Sequence, residues 1–313
     1  DPRTIKLYNH GFRGKLPQAN SIVRPFDPVE INIAGYGTSD GTLDQNDYFL
    51  FYSQGPDRLL FDEEGYLDYD HNIYSDTLYF LITYGGENQG KRIPPAESRS
   101  LVSDSRSSYL KMFSHEKDEY NQLESGRRWM TKGVTRSNNI MDFSYSVPEA
   151  TGAISLWTSF AADSEGPCSF DVLVNNEEIG VIEIDSITGA TYSQKQKYSE
   201  DHLTANMSGS TANLRFRFNH SSGNSIGFLD YFVLGVESSF ESNENIIRIA
   251  PGTQYNWNIP SDLEVWDVTN LTSVKKIPVT NNVFTNLPDE SVLVALKGND
   301  FSNPTSFGPV PNQ

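Results

Sequence analysis

A chain of 313 residues with 24 Lys and Arg against 41 Asp and Glu, net −17, lacks the clustered positive charge that phosphate neutralisation demands, which argues against a nucleic-acid partner. Its single cysteine, Cys168, excludes an intrachain disulfide. No apolar run approaches the ~18 residues of a membrane-spanning helix; the longest, Phe228 to Val236, is broken by Asp230. At 37% hydrophobic and 12% aromatic the chain has material for real cores, and its length suits two or three domains. No leader precedes Asp1, so a secretory signal is expected to have been removed or to lie outside the sequence.

In chain order, Ile5 to Tyr8 predicts a first strand, with a turn at Gly11 to Gly14. Val29, Ile31 and Ile33 alternate with Glu30 and Asn32, the pattern of a half-buried strand. The loop 37–47 that follows is rich in carboxylates and amides. Calcium takes about six to eight oxygens, and short loops of Asp and Asn with a Gly at the bend provide them. Asp40, Asp44, Asn46 and Asp47 are therefore the metal candidates, with calcium as the ion. The EF-hand spacing with its terminal Glu is missing, and the same residues serve as Asx-turns between two strands.

Tyr48-Phe49-Leu50-Phe51-Tyr52 is apolar on both faces, which predicts a strand central in a sheet covered on both sides. A turn-rich connection leads to His71-Asn72-Ile73-Tyr74-Ser75-Asp76 and a second strand, Leu78 to Thr83. The Gly-, Pro-, Ser- and Arg-containing stretch 85–108 reads as a long exposed connection. His115 to Trp129 predicts a helix or tight loop, with Glu116, Asp118 and Glu119 ahead of Arg127 and Arg128, and Gly126 as a stop.

A new unit begins near Asn139. Strands are predicted over 154–160, 170–174, 181–187, 214–218 and 228–236, with Ser199 to Met207 as one short helix on the edge. Beyond a polar linker, 238–245, four more strands are predicted at 246–249, 263–268, 274–279 and 292–296; the tail 298–313 shows no strand pattern. The fold class is all-β and multidomain: a β-barrel or sandwich N-terminal unit (1–138), a jelly-roll-like β-sandwich (139–238) and a small β unit (239–313).

Candidate chemistry is sparse. Cys168 sits in a Gly-Pro-Cys-Ser turn without a motif to pair it with His115 or His202, so an inert thiol is the expectation. His71 reads as a structural hydrogen bonder. Trp157, Tyr192, Tyr198 and Trp257 would line a sugar groove if the sandwich were a carbohydrate-binding or adhesion module; aromatics in strands more often fill cores.

Several segments carry a resemblance as a set. They are Leu43 to Pro56, His71 to Asp76 before Tyr79-Phe80-Leu81, Gly90-Lys91-Arg92-Ile93, His115-Glu116-Lys117-Asp118, Ser125-Gly126-Arg127-Arg128-Trp129, Leu229-Asp230-Tyr231 and Trp266 to Asn270. Together they resemble the N-terminal region of the type IX secretion sortases of Bacteroidetes, in the gingipain-like family of cysteine peptidases. Asn46-Asp47 departs from the Gly-Asp usual before the aromatic strand. The resemblance implies that the catalytic Cys–His pair lies in a peptidase domain beyond residue 313, so no catalytic residue is expected here. It also implies a cell-surface, outer-membrane-associated or extracellular location, and secreted cargo and outer-membrane secretion components as partners.

Overall fold

The computed structural model describes residues 1–18, 20–21, 27–121, 128–131, 133–190, 194–241, 244–297 and 301–310. The strands of the first region are β1 (Lys6–Asn9), β2 (Val29–Ile31), β3 (Ala34–Tyr36), β4 (Tyr48–Leu50), β5 (Arg58–Phe61), β6 (Leu67–Asp70), β7 (Leu81–Thr83) and β8 (Ser105–Arg106). The middle region contributes β9 (Ser108–Glu116), β10 (Ile140–Ser146), β11 (Ala150–Asp163), β12 (Cys168–Val174), β13 (Glu177–Ile184), β14 (Lys197–Asn206), β15 (Thr211–His220) and β16 (Ile226–Ser239). The last region holds β17 (Glu244–Arg248), β18 (Asn256–Asn258), β19 (Glu264–Asp267), β20 (Lys275–Ile277), β21 (Val283–Thr285) and β22 (Val292–Leu296). The chain is all-β; among the described residues there are two short 3-10 turns and no sheet closes into a barrel.

The middle is a sandwich of two four-stranded antiparallel sheets, β10-β15-β12-β13 and β14-β11-β16-β9. Period-2 alternation builds it: Leu214, Phe216 and Phe218 face inward from β15, while Arg215 and Arg217 face out. Phe160 and Phe170 stack at 4.2 Å across the two sheets, and Phe216 and Phe232 meet edge to face nearby. At Asn175-Asn176 both residues have positive φ, the geometry a two-residue hairpin turn requires between β12 and β13.

Five expectations change. The aromatic strand does not lie central in a sheet: among the described residues β4 pairs only with β3. Both of its faces are nonetheless covered. Leu50 and Tyr52 pack into the cluster of Trp266, Val268 and Val294, and Phe49 and Phe51 into that of Leu7, Ile31 and Ile33. The segment earns its two-sided apolar pattern by lying between the first core and the last unit. The expected strand 78–83 shrinks to β7, an exposed edge.

The stretch 85–108 is not a free connection. It runs along the last unit: Lys276 N donates to Pro94 O, Val102 N and O both bond the Asn256 side chain, and β8 pairs in parallel with β18. Residues 115–129 form no helix among the described ones. His115 and Glu116 end β9, which joins the sandwich beside β16, and Tyr120 is bridged to Met130; 122–127 lie outside the described residues. Ser199 to Met207 is likewise strand, since β14 pairs with β11 over ten positions. In both segments tertiary pairing overrides a polar, helix-compatible composition.

Candidate functional site

The outer face of the sheet β14-β11-β16-β9 is covered over β11 and β16, while the β14 edge stays exposed. The β5–β6 hairpin lies on it, placing Phe61 edge-on to Trp157 and Tyr69 against Tyr231 at 4.9 Å. Arg248 of β17 holds the hairpin from its other side, its Nε donating to Leu59 O at 3.0 Å. The hairpin itself is closed by Asp62, whose carboxylate accepts from the Glu64 and Tyr66 amides around Gly65 at φ 83°.

At the base of the hairpin, where its two strands diverge, Asp57 and His71 meet. The Asp57 carboxylate accepts from Tyr69 Oη (2.9 Å), from His71 Nδ1 (3.0 Å) and from the Asn72 amide (2.8 Å). Burial works against the charge on Asp57, but these three bonds outweigh it and hold the carboxyl below its usual range. The bond from Asp57 raises the His71 imidazole to about 9, with Glu116 and Asp118 adding to it against the opposing effect of burial.

Across the junction the sandwich supplies the other half. Glu116 ends β9 in register with Tyr231, so both side chains point toward the hairpin. Burial, reinforced by Asp230, Asp118 and Asp57, lifts its carboxyl to about 8. One metal-ligand-type atom each from His71, Glu116 and Asp118 lies within 4.8 Å of the others.

Beside them is a β-bulge. Ser159 pairs with Tyr231 but Phe160 with Leu229, which leaves Asp230 as the extra residue. The bulge aims Asp230 at Ser159 Oγ (2.9 Å) and at Arg128, which pairs with it and lies 3.9 Å from the Tyr198 ring centroid. Side chains from three short segments that the sequence reading singled out separately, at 71–76, 115–118 and 229–231, with Arg128 of a fourth, converge here. Asp57 was missed; the turn 62–65 between two apolar runs marks a hairpin and was the signal that would place its flanking residues together.

The other sequence candidates lie elsewhere. In the loop 37–47, Asp40 accepts from Thr42 N at 2.9 Å, and that bond holds its carboxyl low. Asp47 accepts from Asp44 N at 2.9 Å, and Asn46 is exposed. Cys168 is buried in the sandwich, its Sγ 3.6 Å from Ile184 O, and burial pushes the thiol up, opposite to what a nucleophile needs. Trp157 is stacked on His202 at 4.4 Å and sits under Phe61; Tyr198 lies under Arg128; Trp257 is in the last unit's core with its Nε1 on Asn286. Tyr192 falls outside the described residues.

A crystal structure of dimeric latent PorU from Porphyromonas gingivalis superposes on 100% of this chain with a TM-score of 0.82, at 17% sequence identity. The chain shares the fold of that part of PorU. It spans 31% of the PorU chain, and at this identity the likeness is one of fold. Two carbohydrate-binding modules of the CBM36 type also align. One, from a xylanase of the hindgut metagenome of Trinervitermes trinervoides, covers 40% of this chain at 13% identity, and 97% of its own length. The other, in complex with calcium and xylotriose, covers 39% of this chain at 11% identity, and 91% of its own length. Both have a TM-score of 0.24, too low to argue from. No protein-family profile and no curated protein matches the sequence.

Proposed function

We propose that this chain is the non-catalytic N-terminal region of a cell-surface, sortase-like cysteine peptidase of type IX secretion, which positions the peptidase and contacts cargo or secretion partners. The observation that carries the reading is the fold shared with PorU over the whole length of this chain. Cys168, the single thiol, is buried with its pKa raised by burial, which supports a reading in which it is not the peptidase nucleophile. The three units are read as 1–138, 139–238 and 239–313, the first lending β8 to the last and β9 to the second. No helix among the described residues is long and apolar enough to cross a membrane.

The test is a processing assay in two arms. The isolated chain leaves a cargo bearing a C-terminal secretion signal uncleaved, and cells whose parent protein lacks residues 1–313 accumulate cargo with that signal still attached. Cleavage by the isolated chain, or normal processing without it, overturns the proposal.

A further inference from the structure

We propose that His71, Glu116 and Asp118 form a binding site for one divalent transition-metal ion, of the type zinc represents, that fastens the β5–β6 hairpin to the sandwich. The inference stands apart from the secretion reading and from the acidic loop at 37–47.

Three observations carry it. The first is the direction of the imidazole. His71 Nδ1 is tied to Asp57, which Tyr69 and the Asn72 amide fix in turn. That carboxylate–histidine arrangement sets the tautomer and presents Nε2 as the free ligand atom, as metal-bound histidines require. Nε2 is buried and has no hydrogen-bond partner; its charge contact with Asp118 Oδ2, at 3.5 Å, is too long for a good hydrogen bond. A buried ring nitrogen aimed at two carboxylates and bonded to neither leaves a ligand unaccounted for.

The second is spacing. The ligand atoms lie within 4.8 Å of one another. A tetrahedral ion with bonds of about 2.0–2.2 Å holds its ligand atoms roughly 3.3–3.6 Å apart, a spacing within reach of side-chain rotation. Asp118, 42% exposed, is free to make that rotation and leaves an entry path from solvent.

The third is charge. Asp57, Glu116 and Asp118 surround one imidazole, while the guanidinium of Arg128 is committed to Asp230. With all three carboxyls ionised, as metal binding requires of carboxylate ligands, a divalent ion balances the negative charge they carry. One imidazole and two carboxylates suit zinc and its neighbours, whereas calcium wants about six to eight oxygens and has no use for the nitrogen.

The experiment is calorimetric titration of the chelator-stripped chain with Zn2+, repeated on His71→Ala, Glu116→Gln and Asp57→Asn. Expected is one ion per chain, with Zn2+ raising the melting temperature, and visible absorption bands when Co2+ replaces it. His71→Ala and Glu116→Gln lose the ion, and Asp57→Asn weakens it about 10–100-fold by releasing the ring without removing a ligand. Should His71→Ala fail to fold, Asp118→Asn, altered at a partly exposed position, replaces it and is expected to weaken binding. Zn2+ binding at unchanged affinity in the ligand variants, no binding at micromolar Zn2+, or displacement of Zn2+ by equimolar Ca2+ overturns the proposal.

Discussion

Arg99 and Glu290 form a bidentate pair whose side chains are 8% and 5% exposed, and removing the arginine is the sharpest test of how the segment 85–108 is held. Arg99 Nη1 also donates to Thr285 O at 2.7 Å, and Glu290 accepts from the Leu287 amide at 2.8 Å. Burial pushes the Glu290 carboxyl up even though the amide and Arg99 pull it down, so the charge is present at a cost that its partner offsets. Arg99→Met strips that partner and strands a buried carboxylate, which costs about 3–5 kcal/mol. Arg99→Met with Glu290→Leu removes both charges and forfeits the Leu287 bond, worth about 1 kcal/mol. The double variant is therefore expected to be more stable than Arg99→Met alone. Urea unfolding of the wild type, the two singles and the double gives the coupling directly. Additive losses, with coupling below about 0.5 kcal/mol, would refute the idea that the two charges compensate one another.

Stability of chelator-treated protein should fall as the pH rises from about 5 to about 9. The His71 imidazole is raised from 6.5 to about 9, so its contribution is complete below 6.5 and lost through 9. Glu116, raised from 4.5 to about 8, is favoured neutral, and its contribution fades over that window in the same direction. The melting-temperature gap between wild type and His71→Gln should therefore narrow above pH 6.5; a constant gap would contradict the assigned shift. Phe61→Ala should uncover Trp157, seen as faster acrylamide quenching of tryptophan fluorescence in a folded variant, and equal quenching would mean that the hairpin does not cover the sheet. Cys168 should react with a thiol reagent only as fast as the sandwich opens, so labelling by a native-state surface rate would contradict its burial.

Strands with clean alternation were legible because one face meets a core: 214–218 is the clearest case, and β15 extends it at both ends. Asp47 to Tyr84 was legible in pattern but not in place. A strand apolar on both faces reports two covered surfaces and says nothing of what covers them, and here one cover is the last unit of the chain. β9 and β14 carry enough polar residues on their outward or edge positions to read as helix or loop, and only pairing with β16 and β11 reveals them. The junction was invisible for the same reason. His71, Glu116 and Asp230 are ordinary residues in sequence, and what makes them a site is a hairpin laid across a bulged strand.

The pairing of β8 and β9 bears on the order in which the chain becomes a structure. Ser108 pairs with Ser239 and Ser105 with Asn256, so each strand waits for a partner roughly 130–150 residues downstream, among the slowest contacts a chain can make. A chain delivered from its N-terminus leaves 105–116 with unanswered backbone donors and acceptors until the last third arrives. The hairpin has no bulged strand to lie on before β16 exists, and the aromatic strand has no second cover before Trp266 and Val294 do. Residues 48–70 and 105–116 are thus among the last of this chain to reach their final geometry, and a chain interrupted after the sandwich leaves Ser105-Arg106 as an open edge.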